Sequence, residues 1–374
     1  MRFTLLHGSA RKFCWMRDRD YEEYIQKIRP EYILFIPAIP QICVLLRKYL
    51  KKMPNSIEVR NLTKIYRSHV KQEGLTGSLK SFFKREYKER RAVDGITFDI
   101  AQGELVGMLG ANGAGKTTTL KMLSGLLQPT SGEAHVMGFT PWKRENEFKR
   151  HFAIVMGQRN QLWWDLPAAD AFLLNKEIYR IPEADYRKRL GDLAERLAIS
   201  DKLHVQVRRL SLGERMKCEL IGSLLHAPRV LFLDEPTIGL DVIAQQSVRE
   251  FIKEYNRDSE TTIILTSHYM SDIEELCERV IVIDDGTIMF DGALRQLVAK
   301  YVDEKIITVV FRHSVERSAL EGFGTISEWQ PERTQLRAPR GEIATIAASI
   351  LNSHEVADLT IEEVPIEEVI RKIL

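Results

Sequence analysis

The chain has 374 residues, 28% of them charged and 44% hydrophobic, which suits roughly two domains with a large buried core. Its 54 Lys and Arg against 52 Asp and Glu leave a net charge of +2, so no global electrostatic pull toward nucleic acid exists. The four cysteines, Cys14, Cys43, Cys218 and Cys277, show no C-x-x-C spacing, which argues for a reducing compartment and against a zinc site, and no run reaches the ~18 uninterrupted apolar residues of a membrane-spanning helix.

Residues 1–53 carry 11 Lys/Arg against 5 Asp/Glu and follow no repeated pattern. Residues 1–52 are expected to be dispensable, with Met53 able to serve as a start. Ile57-Glu58-Val59 opens an alternating strand that leads through Tyr66 into a basic insertion. There Leu75, Leu79, Phe82, Phe83 and Tyr87 recur at helical spacing, so an amphipathic helix is expected over 74–91. Its basic face would meet either solvent or a lipid or partner surface. Further strands are expected at 96–100, 105–109, 152–155, 230–233, 262–266 and 280–283, alternating with helices at 117–126, 168–180, 183–198, 212–226, 242–257 and 270–277. Asp285-Gly286 reads as a hairpin turn into residues 287–290. The alternation predicts an α/β fold, a mostly parallel sheet flanked by helices. The pattern restarts after residue 300, with a strand at 306–311 and helices at 343–351 and 365–374, as a small α+β block without visible chemistry.

Residues 110 to 118 read Gly-Ala-Asn-Gly-Ala-Gly-Lys-Thr-Thr, a complete phosphate-binding loop between a predicted strand and a predicted helix. Gly110, Gly113 and Gly115 let the backbone turn and aim its N–H groups, with those of Asn112, Ala114 and Thr118, at phosphate oxygens. Lys116 supplies a charge near the β- and γ-phosphates and Thr117 a hydroxyl for Mg²⁺. Val230-Leu231-Phe232-Leu233 ends in Asp234, placed for the Mg²⁺ shell, and Glu235, placed to face an attacking water. Thr262–Thr266 delivers Ser267-His268, and Leu210-Ser211-Leu212-Gly213-Glu214 opens a helix whose N–H groups form a second anion site. Singly these short motifs are weak; their order behind a phosphate loop makes them a set.

Taken together, residues 57 to about 295 closely resemble the ATP-binding-cassette ATPases. The resemblance implies a cassette domain over 54–299 with an antiparallel N-terminal subdomain and a helical signature subdomain, followed by a small domain over 300–374. It implies ATP and Mg²⁺ as cofactors, with Tyr66 stacking on adenine and Gln158 sensing Mg²⁺ and the γ-phosphate. Ser211 and Gly213 match the signature motif that acts on ATP held by an opposing subunit. Asp234 matches the magnesium ligand, Glu235 the catalytic base, Asp241 the loop that communicates across the dimer and His268 the switch histidine. Leu212 and Glu214 depart from the family pattern Leu-Ser-Gly-Gly-Gln. The stretches Leu109–Thr119, Gln161–Pro167 and Leu210–Lys217 look like stand-alone subunits of exporter-type bacterial transporters. Such a subunit forms a homodimer, or pairs with a second cassette, beneath separately encoded polytopic permease subunits at the cytoplasmic face of the membrane, with no nucleic acid partner. The adjacent Trp163 and Trp164 then read either as a partner surface or as one ring in the core with the other covering a helix. The alternative function is a soluble regulatory cassette ATPase without a transport role. The single cassette stands against a tandem ribosome-acting ATPase, and the about 95 residues between Thr117 and Gly213 leave no room for the long coiled coil of chromosome-acting cassettes.

Overall fold

The computed structural model describes residues 55–69, 87–157, 159–301 and 303–373. The expectations for residues 1–53, for the 74–86 part of the insertion helix and for Gln158 lie outside the described residues. Two long strands, β1 (Asn55–His69) and β2 (Tyr87–Ala101), join β4 (Ser131–Val136) in a three-stranded sheet of order β2-β1-β4, with β1 antiparallel to β4. Residues 87–91 therefore continue a strand, contrary to the expected helix. The physical reason is pairing: β2 lies against β1, and Arg67 meets Glu89 at 2.8 Å across the two strands. Tertiary hydrogen bonding overrides the helical spacing of Phe83 and Tyr87.

β3 (Leu105–Leu109), β5 (Phe152–Met156), β6 (Val230–Asp234), β7 (Thr262–Thr266), β8 (Arg279–Asp284) and β9 (Thr287–Ala293) form the central sheet, in the order β5-β6-β7-β3-β8-β9. Every pairing is parallel except the β8–β9 hairpin. The five residues of β3 and of β7 are all buried, as strands covered on both faces must be. Alternate residues divide between two cores. Val106, Met108, Phe232 and Ile264 pack with the three-stranded sheet and α1 (Lys116–Leu123). Leu109, Leu231, Leu233 and Leu265 pack under α3 (Ala168–Tyr179), α4 (Glu183–Arg196), α5 (Leu212–Leu224), α6 (Val242–Ser259) and α7 (Met270–Leu276); α2 is the short Asn146–His151.

The parallel register decides where loops emerge. Met108 of β3 and Asp234 of β6 both pair with Thr266 of β7, so the segments following these three strands leave the sheet side by side at its carboxyl edge.

α8 (Leu294–Tyr301) leads into β10 (Glu304–Phe311), β11 (Thr325–Gln330), β12 (Arg333–Pro339), α9 (Ile343–Ser353), β13 (Val356–Glu363) and α10 (Ile366–Ile373). This antiparallel sheet, in the order β11-β12-β10-β13, has its own core of Ile307, Val309, Phe311, Leu336, Ile343 and Ile350. Val369 and Ile370 of α10 return to share the cassette core with Leu294 and Leu297. The α+β expectation holds there, while β4, β11, β12 and β13 escaped the sequence. Most residues of β11 and β13 are exposed, so no apolar run marks them.

The β8–β9 turn does more than reverse the chain. Asp285 and Gly286 both have positive φ, 41° and 80°, and Gly286 donates its N–H to the Ala114 carbonyl at 3.0 Å while accepting from the Asp94 N–H at 2.8 Å. A Cβ on Gly286 would meet the Val93 Cα at 3.2 Å. Gly286→Val should therefore lose about 1–2 kcal/mol from the left-handed backbone alone, read by urea denaturation, and should weaken nucleotide binding measured by fluorescence titration because the turn props the phosphate loop.

Candidate active site

The phosphate loop starts where β3 ends. Its tight path is fixed at Gly110, where a Cβ would lie 2.0 Å from the Ile283 carbonyl, so no other residue fits without moving β8. Lys116 opens α1, and its Nζ folds back to donate to the Gly110 carbonyl at 2.7 Å and the Ala111 carbonyl at 3.0 Å. The ammonium is buried, and burial lowers its pKa against the opposing pull of the Glu235 and Asp234 carboxylates. A buried cation held over main-chain carbonyls is poised for an anion that brings its own charge.

Thr117 Oγ1 donates to Asp234 Oδ1 at 3.0 Å, and Thr266 Oγ1 donates to the same oxygen at 2.7 Å. The donors here are a carboxylate and hydroxyls, hard oxygens suited to a hard cation. Among the described residues no group of three or more His, Cys, Asp or Glu could hold a metal.

Glu235 stands at φ 57°, a left-handed conformation that costs on the order of 1–3 kcal/mol for such a residue. Its N–H donates to Thr266, to the carbonyl at 3.0 Å and to Oγ1 at 3.1 Å, and these bonds retain the strained turn. The turn throws the carboxylate toward His268, whose Nε2 lies 2.7 Å from Glu235 Oε1. The Gly157 N–H donates to the Asp234 carbonyl at 2.8 Å, tying the backbone that runs to Gln158 to the same strand end.

The remaining predicted residues gather elsewhere. Ser211 caps α5 in a reciprocal box with Glu214: its hydroxyl accepts from the Glu214 N–H at 3.2 Å, and its N–H donates to Glu214 Oε2 at 2.9 Å. The departure at 214 thus has a local use. Asp241 caps α6 by accepting from the Ala244 N–H at 2.9 Å, and Gly213 lies against Ala244. Tyr66 stays on β1, partly exposed, with Lys64 Nζ 5.5 Å above its ring. The sequence pattern marks neither Arg90 nor Thr266. Arg90 reaches from β2 to the Gly113 carbonyl at 3.4 Å, and Thr266 bridges Asp234 to Glu235. Only the placement of Thr266 next to Ser267-His268 hinted at its part.

A groove of about 320 Å³ opens beside β5, lined among others by Trp163, Leu174, Asn175, Tyr179, Glu219 and His226. Trp163 is 57% and Trp164 47% exposed, so neither ring is core. Arg215 stacks 4.9 Å above the Trp164 ring. Glu219 of α5 accepts the N–H groups of Gln161 at 2.8 Å and Leu162 at 3.1 Å, and burial raises its pKa despite those bonds. His226 stacks on Tyr179 with ring centroids 4.0 Å apart and bonds the Phe152 carbonyl through Nε2 at 3.1 Å.

A family model described as ABC transporter matches residues 93–238, and one described as EvrA-like ABC transporter, C-terminal domain, matches residues 303–362. The ABC transporter ATP-binding protein NatA of Bacillus subtilis is 34% identical over 215 residues, covering 58% of this chain and 87% of that protein. The Linearmycin resistance ATP-binding protein LnrL of Bacillus subtilis is 32% identical over 224 residues, covering 60% of this chain and 71% of its own. For the Nod factor export ATP-binding protein I of Ralstonia nicotianae the identity is 33% over 226 residues, with 60% and 70% covered. Among solved structures, an ATP binding subunit of an ABC transporter superposes with a TM-score of 0.54 at 24% identity, over 66% of this chain and 92% of that one. A dimeric cassette in a post-hydrolysis state bound to ADP and Pi gives 0.53 at 22%, over 64% and 99%. At these identities the structural likeness speaks for the fold.

The groove carries its own pH signature. Burial pushes His226 from 6.5 down to about 4, so the fold holds it neutral while the unfolded chain takes up a proton below 6.5. Its contribution to stability is therefore full above pH 6.5 and is lost as the pH falls toward 4. Urea denaturation at pH 7 and pH 5 should show this loss, and His226→Phe should flatten it.

Proposed function

The chain belongs to the ATP-binding proteins of ABC transporters, and on that footing we propose that two copies, or one copy and a second cassette, close around two ATP molecules to drive export through separate membrane subunits. Each composite site would join the Lys116–Thr117 loop of one chain to the Ser211 helix of the other. The exposed face beside Ser211 supports this: Val242 is 77% and Ile243 84% exposed, at the start of the helix that Asp241 caps. Apolar side chains left this open at a helix start suit an interface better than solvent.

In the proposed reaction, the N–H groups of Gly110 to Thr118 and the Lys116 ammonium hold the β- and γ-phosphates, and Tyr66 takes the adenine. Mg²⁺, held by Thr117 and Asp234 and, as the family resemblance implies, by Gln158, would neutralise phosphate charge. Glu235 orients a water and accepts its proton, and His268, in contact with that carboxylate, steadies it against the γ-phosphate. Phosphoryl transfer needs positioning and charge stabilisation more than covalent chemistry, and these residues offer both. One observation carries the proposal: the 2.7 Å contact between Glu235 and His268 sits beside the Asp234–Thr117 bond at the same sheet edge.

Glu235→Gln keeps the shape of the side chain and removes the proton acceptor. It should bind ATP, accumulate as an ATP-bound dimer on size exclusion and show no steady turnover, whereas Lys116→Ala should bind ATP poorly. Turnover by Glu235→Gln at the wild-type rate would remove Glu235 from the role of base.

The membrane side of the proposal rests on the groove. No helix among the described residues is long and apolar enough to cross a membrane. Trp163 and Leu174 are exposed in the groove lining. Trp164 is exposed next to Trp163 on the same loop, and Ile178 one turn on from Leu174 on the same helix, apolar side chains suited to a segment of a polytopic subunit at the cytoplasmic membrane face. The export direction follows the relatives named for resistance and export. Residues 54–299 would act as the cassette and 300–374 as an accessory domain.

If the Trp pair anchors that partner, Trp163→Ala with Trp164→Ala should leave the melting temperature and basal ATPase rate of the isolated subunit nearly unchanged. Co-purification with the membrane subunits should be lost, since such anchors contribute ~2 kcal/mol or more. A sharp fall in melting temperature, with the partner still bound, would sink the idea.

A further inference from the structure

A buried charged cluster is bonded to the loops that carry Glu235 and His268. Asp272, on α7, has 0% exposure. Its Oδ2 accepts hydrogen bonds from Thr237 Oγ1 and Ser267 Oγ, both at 2.5 Å, and its Oδ1 accepts from Arg249 Nη1 at 3.1 Å. Arg249, itself buried on α6, also donates to Glu275 at 3.0 Å and to Gln246 at 2.7 Å.

The partners of this one carboxylate are telling. Thr237 stands two residues after Glu235, and Ser267 immediately precedes His268. Ser267 Oγ also accepts the Tyr269 N–H at 3.0 Å, so the turn carrying His268 is bonded on both sides. Arg249 belongs to the helix that Asp241 caps, which closes a ring from Thr237 through Asp241 and α6 back to Asp272. The two loops bearing Glu235 and His268 thus share one buried acceptor.

We propose that Asp272 is a positioning residue for hydrolysis: by gripping Thr237 and Ser267 together it sets the Glu235–His268 contact and ties both to the helix behind Asp241. This rests on the assignment of Glu235 as base. A plain structural ion pair needs only Arg249 and Glu275; the two hydroxyl bonds to opposite active-site loops are what that pair leaves unexplained. Buried acceptors of this kind hold geometry because each unmade bond leaves a polar group stranded. A displacement of about 1 Å at a reacting group can cost on the order of a hundredfold in rate.

The test compares the full chain with Asp272→Asn, Thr237→Val, Thr237→Ser and Ser267→Ala, reading kcat and KM for ATP, affinity for a fluorescent ATP analogue and melting temperature. Asp272→Asn should lose about tenfold or more in kcat with KM and nucleotide affinity within about twofold. Thr237→Val should lose kcat in the same pattern, and Thr237→Ser, which keeps the hydroxyl, should recover most of it. A folded Asp272→Asn protein with wild-type kcat overturns the proposal, as does a fall in kcat and affinity together that tracks the melting temperature. Where Asp272→Asn does not fold, Thr237→Val and Ser267→Ala, which keep the Asp272–Arg249 pair, decide by the same two outcomes. Glu235→Gln assayed in parallel separates the two ideas. Its continued turnover removes the base assignment, while its inactivity beside a normal Asp272→Asn removes only the positioning role.

Discussion

Everything at the candidate site depends on one carboxylate oxygen, Asp234 Oδ1, which accepts from Thr117 behind the phosphate loop and from Thr266 on the neighbouring strand. Those two bonds fasten the start of α1, which follows β3 through the phosphate loop, and the end of β7 to the carboxyl end of β6. The sheet below supplies the rigidity: parallel strands buried on both faces have no freedom to slip, because a one-residue shift would reverse every side chain. With the register held, the strained turn at Glu235 becomes tolerable, since the Thr266 bonds and the short reach to His268 offset it.

The signature helix shows how a departure from a family pattern is absorbed locally. Glu214 completes a capping box with Ser211, so the helix start is more firmly bonded than a glycine-rich turn would be. Leu212, in turn, lies against Gly239 in the segment leading to Asp241. The contact joins the starts of α5 and α6 as one surface, on which the exposed Val242 and Ile243 also stand. The same helix α5 extends its influence through Glu219 and Arg215 to the loop bearing the tryptophans, so its Ser211 end and the groove share one rigid rod.

Where the sequence was misleading or silent, the cause was a signal of the wrong range. Phe83 and Tyr87 carry a helical period, yet residues 87–91 pair in a sheet, because the hydrogen bonds offered by β1 outweigh local spacing. β11 and β13 are exposed on most positions and carry charged residues, so alternation does not announce them; their antiparallel partners do. The Trp pair was open between core and surface, and burial alone decided it.

From the sequence by itself came the phosphate loop and its chemistry, the strands of the central sheet and the helices between them within a few residues, and the carboxylates and histidine to watch. Those are properties of short windows: glycine spacing, apolar period, a strand that ends in two carboxylates. The tertiary structure decided which of these residues meet. Thr117 and Asp234 are 117 positions apart, Asp99 and Arg60 pair across strands, and Asp272 gathers Thr237, Ser267 and Arg249. Such meetings follow from strand order, in which β3 sits between β7 and β8. That order is set by how helices cross over a twisted sheet to bury both its faces, a balance over the whole chain that no short window contains.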